Sequence, residues 1–153
     1  MIERLDNKNI DISKKIHSVF QVSYTTEAKL LNVMDFPPLK RSVEDFIQSN
    51  SEFYGYRCNE EIVAIIEIES NYNSIHINSL VVDPKYFRQG IAQELLTFII
   101  ESTNSITITV DTAVDNTPAC TLYKKFEFRE LEFWETEIGI KIVRFEKKIK
   151  NQV

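Results

Sequence analysis

From Val82 to Ala92 the chain reads Val-Asp-Pro-Lys-Tyr-Phe-Arg-Gln-Gly-Ile-Ala, and these residue types can hold a phosphate. Gly90 has no Cβ, so the backbone there can approach a ligand closely. Ile91, Leu95, Phe98 and Ile99 follow at helical spacing, which starts a helix at once. Gln89, Gly90, Ile91 and Ala92 then supply opening-turn amides with no partner inside the helix, and the helix dipole favours negative charge beside them. Arg88 adds a guanidinium able to grip phosphate oxygens in a bidentate fork. The small Ala92 keeps the mouth of such a site open. The chain has only three glycines, Gly55, Gly90 and Gly139, in 153 residues. That excludes a G-x-G-x-x-G dinucleotide loop and a Walker P-loop, each of which needs several.

Such a site needs a strand in front of the helix and a parallel strand behind it. Ile75 to Val82 is β-branched and ends at Asp83-Pro84, as a strand would. Beyond the helix, Ile106, Ile108 and Val110 alternate as one face of another strand. Strand, helix and strand in this order imply a right-handed parallel crossover. In such crossovers ligands sit at the carboxyl ends of the strands.

The remaining elements frame this unit. Ile12, Ile16, Phe20, Tyr24 and Ala28 recur every fourth residue and Leu31 closes the stripe, which reads as a long helix. Phe36-Pro37-Pro38 breaks it. Ser42 and Asp45 resemble a capping box opening a second helix that buries Val43, Phe46 and Ile47. Phe53 to Cys58 and Ile62 to Glu69 read as strands around an Asn59-Glu60 turn. Thr117-Pro118 reads as the N-cap and first residue of another helix, with Ala119, Leu122, Tyr123 and Phe126 on its apolar face. Phe128 to Glu137 and Ile138 to Phe145 form a closing hairpin, and the tail from Lys147 is expected to fray. The whole is a single domain over residues 1–153, a mixed α+β sheet covered by helices.

Composition limits the function. The net charge is −5, which argues against a nucleic-acid binder. The longest apolar runs, such as Ile62 to Ile66, are too short to cross a bilayer. Met1 to Ile10 carries charges throughout and lacks the apolar stretch of a signal peptide. Two cysteines, Cys58 and Cys120, without metal-type spacing fit a reducing, cytoplasmic setting and no metal site.

The run Leu80 to Ala92, followed by Leu95-Leu96, resembles motif A of the GCN5-related N-acetyltransferase superfamily, whose core is [RQ]-x-x-G-x-[GA]. Phe87 departs from it at the Arg/Gln position. Asn116 to Phe128 resembles that family's motif B, N-x-x-A-x-x-L-Y-x-x-x-G-F. Glu127 departs from it at the glycine, so a less sharply turned helix exit is expected. The resemblance implies a mixed, mostly antiparallel sheet of about six to seven strands flanked by about four helices. It also implies that the parallel pair splays to hold acetyl-CoA.

The same resemblance implies roles. Backbone N–H groups of Leu80, Val81 and Val82 would meet the cofactor's thioester and pantetheine arm. Arg88, Gln89, Gly90, Ile91 and Ala92 would hold its pyrophosphate, Ala119 would lie along it, and Asn116 would bond the pantetheine or cap the helix. Tyr123 would protonate the departing thiolate. His76 falls where several members place a general base, and its chemistry suits proton relay near neutral pH. Alternation places Asn78 on the face of His76, where it could orient a water, and Glu67 and Glu69 together on a face of the neighbouring strand. Those two carboxylates could bind or deprotonate a cationic amine, or be a solvated face. Tyr24, Phe36, Pro37 and Trp134 are candidates to line the acceptor pocket, while Phe20 reads as core and His17 as an exposed helix residue. The implied reaction acetylates the primary amine of a small molecule. A protein N-terminus or lysine is the alternative acceptor, a non-catalytic acetyl-CoA sensor the other alternative. No nucleic acid or membrane partner is expected, and the reading leaves room for a homodimer.

Overall fold

The computed structural model describes residues 1–149. Its elements in chain order are β1 (Ile2–Leu5), α1 (Ile10–Leu31), α2 (Val43–Gln48), β2 (Glu52–Cys58), β3 (Glu61–Ser70), β4 (Ser74–Val82), α3 (Ile91–Ser102), β5 (Thr107–Ala113), α4 (Thr117–Lys125), β6 (Arg129–Glu135) and β7 (Lys141–Lys148). Short 3-10 turns occupy Pro37–Lys40 and Pro84–Tyr86. The strands form one seven-stranded sheet in the order β1-β2-β3-β4-β5-β7-β6. Every neighbouring pair is antiparallel except β4 and β5.

The local chemistry explains the element ends. Asn9 caps α1 by accepting from the amides of Asp11 and Ile12, and Asn32 closes it in the left-handed region at φ 56°. Ser42 and Asp45 form the capping box of α2. Asn59 and Glu60 both take positive φ, as a tight hairpin turn requires.

Helices cover both faces of the sheet. On one face Ile16, Val19 and Phe20 of α1 and Phe46 of α2 pack with Phe53, Ile65 and Val81. On the other, Leu95, Leu96 and Ile99 of α3 and Tyr123 of α4 pack with Ile66, Ile77, Ile108 and Phe145. His17 is half-buried rather than exposed, with its ring edge-on to Phe46 at 6.2 Å.

Several sequence expectations are corrected. β1 was not anticipated. It pairs with β2, and Leu5 packs over Gly55, where a Cβ would come within 2.8 Å of its Cδ1. The closing hairpin turns over Thr136–Ile140, so β6 ends two residues before the expected Glu137 and β7 begins three residues after the expected Ile138. Lys147 and Lys148 do not fray but pair with Ile108 and Thr107. The cap of α4 is Asn116, one residue before Thr117. Its exit is as sharp as a glycine exit would be, because Glu127 itself adopts φ 66°. The amide of Glu127 bonds the carbonyl of Lys124 and that of Phe128 bonds Tyr123. This is a Schellman closure, completed by the Tyr123 and Phe128 rings 5.5 Å apart.

Candidate active site

The parallel pair opens where the sequence requires a ligand. β4 and β5 are paired only from Ser74↔Thr107 to Ile77↔Val110. Beyond that point Asn78–Val82 and Asp111–Ala113 diverge. The amide of Asp83 bonds the carbonyl of Val63 on β3. Backbone groups alternate sides along a strand. So Val81 also turns its amide to β3, and the amides of Leu80 and Val82 turn to the opening. Val81 therefore differs from the expectation: its side chain is buried in the α1-side core. A bulge at Asn78, where Glu67 opposes Ser79 but Ile68 opposes Ile77, brings Asn78 and Ser79 to the same side.

Two cavities flank this opening. One, of about 580 Å³, runs from the opening turn of α3 to α4 and is walled by Val82, Phe87, Arg88, Gly90, Ala92 and Leu122, among others. Gly90 caps α3 at φ 76°, and a Cβ built there would meet no atom within 4 Å. The glycine suits its left-handed conformation, and packing within the chain places no demand on it. The helix begins at Ile91, so its unpartnered amides are those of Gly90, Ile91, Ala92 and Gln93. Gln89 lies one residue too early and lines neither cavity. Lys125, which the sequence did not single out, also lines this cleft and bonds Gln93.

The second cavity, of about 510 Å³, lies on the α1 side of the opening. Tyr24, Phe36, Pro37 and Asn78 line it, joined by Ser79, Asp111 and the hairpin tip at Glu137 and Ile138. The Tyr24 hydroxyl donates to Ser79 Oγ at 3.2 Å. Trp134 stays outside, with the Arg144 guanidinium 5.3 Å above its ring.

The two cavities share five residues: Glu27, Leu80, Asn116, Ala119 and Tyr123. Tyr123 is buried and its hydroxyl is pushed well above the usual phenol range by burial, so it stays protonated at neutral pH. Asn116 does two jobs. Its Oδ1 accepts from the amide of Ala119, and its Nδ2 donates to Glu27 Oε1 at 2.8 Å. Burial pushes the Glu27 carboxyl up, while the Asn116 hydrogen bond pulls it partly back. Glu27 escaped the sequence reading. The available signal was a carboxylate one turn beyond Tyr24, at the edge of the α1 apolar stripe.

Three further expected site residues line neither cavity. His76 lines neither cavity; its Nδ1 lies 2.7 Å from Thr109 Oγ1 and its Nε2 3.8 Å from Asp111 Oδ2. Glu67 is buried and already paired. Arg41 grips both its oxygens at 2.7 and 3.0 Å, and Ser51 donates at 2.6 Å. Its part is structural, tying β3 to the segment before α2. Glu69 is exposed and lines neither cavity. Among the described residues no cluster of His, Cys, Asp or Glu could hold a metal ion, and no helix is long and apolar enough to cross a membrane.

The family model for the acetyltransferase (GNAT) domain matches residues 22–149. The chain belongs to the GNAT acetyltransferase family. This GNAT domain is 34% identical to the UPF0157 protein YqkA of Bacillus subtilis (strain 168), over 100% of the chain but only 45% of that protein. The chain thus spans less than half the length of that relative. It is 29% identical to a streptothricin acetyltransferase of Escherichia coli, covering 82% of this chain and 74% of that protein. Its fold superposes on the ribosomal-protein-S18-alanine N-acetyltransferase of Escherichia coli with a TM-score of 0.79 at 18% identity, covering 100% and 96% of the two chains. The seven-stranded mixed sheet, its single parallel pair and its four helices are the GNAT architecture.

Proposed function

We propose that this GNAT domain transfers an acetyl group from acetyl-CoA to the primary amine of a small molecule, by direct attack with both substrates bound. The observation that carries the proposal is the shared wall. A cofactor-sized cleft and an acceptor-sized cavity meet at Leu80, Asn116, Ala119 and Tyr123, across an opening between two parallel strands.

The residues present fit acetyl-CoA, which would bring the thioester that supplies the acetyl group. The free amides from Gly90 to Gln93 and the side chains of Arg88 and Lys125 suit a diphosphate. The unpaired edge of β4 offers the amides of Leu80 and Val82 to an amide-containing arm and to a developing oxyanion. Tyr123 directs a hydrogen bond at the departing sulfur. Its raised hydroxyl makes complete transfer to a thiolate of ordinary pKa about 8.5 uphill by at least about 2 kcal/mol. Its contribution is therefore hydrogen bonding in the transition state, with solvent completing protonation.

A small acceptor is favoured over a protein chain by the walls of the second cavity. Phe36-Pro37-Pro38 closes one side and the tip of the β6–β7 hairpin closes another. Glu27, Asp111 and Glu137 give the lining an acidic character, although Arg144 already holds Asp111 in a bidentate pair at 2.6 and 2.9 Å. A cationic amine suits this lining, as does the streptothricin acetylated by the relative named above. Two free cysteines, Cys58 and Cys120, suit a cytoplasmic setting.

Thiol release from acetyl-CoA, followed over a panel of primary amines, tests the proposal. Saturable release with a small cationic amine is expected. If coenzyme A binds but no amine yields thiol, the domain is a sensor; if only peptides do, the acceptor is a protein.

A further inference from the structure

We infer that Glu27 is the group that takes the proton from the acceptor ammonium, with Asn116 as its positioning residue. This inference rests on the acetyl-transfer reading above.

The geometry carries it. An amine reaching a thioester at the mouth of the cofactor cleft must pass through the shared wall of the two cavities. Five residues form that wall, and Glu27 is the one carboxylate among them. It projects from α1 onto the N-cap of α4, a contact between residues 89 apart in sequence. One oxygen, Oε1, is engaged by Asn116, and among the described residues no protein donor engages Oε2. The carboxylate is fixed in position while one oxygen stays free to accept. Asn116 cannot swing away, because its Oδ1 is held by the amide of Ala119. Of the rival carboxylates, Asp111 is held by Arg144 and Glu67 by Arg41 and Ser51, while Glu137 lines only the α1-side cavity and not the shared wall. His76 is hydrogen-bonded to Thr109 outside both cavities.

The step balances as follows. A primary amine reaches the site as R–NH₃⁺, since alkylamines have a pKa of about 10.4. Glu27 takes one proton and passes it to solvent. The freed lone pair forms the C–N bond as the carbonyl π pair moves to oxygen. When that pair returns, the C–S bond breaks and sulfur leaves with its electrons. The nitrogen gives up its second proton to solvent, and the thiolate, hydrogen-bonded by Tyr123, takes one from solvent. The sum is an amide, a thiol and one proton released.

Burial raises the carboxyl of Glu27, with the Asn116 hydrogen bond opposing part of that rise, and the rise strengthens it as a base. The titratable groups that share the acceptor-side cavity with it are Tyr24 of α1, Asp111 of β5 and Glu137 of the hairpin. On the cofactor side are Tyr86, Arg88, Lys125 and Tyr123.

The test compares wild type, E27Q, N116A and H76N, with acetyl-CoA as donor. Streptothricin and a short peptide with an N-terminal alanine serve as probe acceptors. Thiol release is read from pH 5.5 to 9.5, and coenzyme A affinity by calorimetry. E27Q is expected to lose at least 100-fold in kcat and the acid limb of the wild-type profile, with coenzyme A affinity within threefold. N116A should keep the limb but move it to higher pH, because the hydrogen bond that favours the ionised carboxylate is gone. H76N should keep it unmoved. E27Q retaining more than a tenth of kcat, or the limb moving with H76N instead, overturns this inference alone. No thiol release by the wild type with either probe overturns the acetyl-transfer reading and this inference together.

Discussion

Glu27 places a carboxylate where two cavities meet, and such a placement has a stability cost. Its folded carboxyl is raised above the unfolded value by burial. Between those two values the native state holds more protons than the unfolded one, so stability falls as pH rises through that window. At pH 8 the folded chain therefore keeps a charge that it would be more stable without. E27Q should raise the melting temperature at pH 8 and leave it unchanged at pH 4.5; an equal shift at both pH values would contradict this origin. For Tyr123 the expectation is kinetic. Removing the hydroxyl in Y123F should lower kcat by 10- to 100-fold while changing the KM for acetyl-CoA less than threefold, since the ring still packs on Phe128 and Phe145. Tyr123, Asn116 and Gly90 stand out in the sequence because each sits in a local motif. Glu27 was not, because its meaning comes from Asn116, 89 residues away. His76 misled because its spacing from Gly90 says nothing of which cavity its ring reaches.

At the scale of elements, the helices were readable from period and caps, and the strands less so. Alternation fails wherever one residue is inserted, as at Val63 of β3 and Asn78 of β4, since each bulge exchanges the two faces of the sheet. β1 escaped because four residues with Glu3 and Arg4 among them carry little apolar signal. The exit of α4 yields a sharp expectation. Glu127 pays for a left-handed conformation that a glycine would adopt freely. E127G should stabilise the fold by about 1 kcal/mol, or roughly 3 °C in Tm for a chain of this size. A lower Tm would mean that the Glu127 side chain contributes more than its backbone costs. The Arg41–Glu67 pair gives the opposite sign. With Arg41 also 4.3 Å above the Phe46 ring, E67Q leaves a half-buried guanidinium without its counter-ion. That should cost about 3 kcal/mol; chemical denaturation measures it, and a loss below about 1 kcal/mol would reduce the pair to a surface contact.

For the molecule as a whole, one topological feature organises the rest. A parallel pair inside an otherwise antiparallel sheet comes apart after four paired residues and leaves a strand edge that no neighbour satisfies. The helices on either side then make the α3–α4 cleft and the α1-side cavity two rooms sharing one wall. The GNAT fold was legible because its two motifs and its element order agree. The acceptor was not, because α1, the Phe36 loop and the hairpin tip come together only in three dimensions. Amide hydrogen exchange with and without coenzyme A tests this arrangement most directly. Binding is expected to protect the amides of Leu80, Val82 and Gly90 to Gln93, and to leave Leu39, Lys40 and the tip from Glu137 to Ile140 exchanging as before. Protection confined to the acceptor walls, with the opening turn of α3 unchanged, would contradict the account.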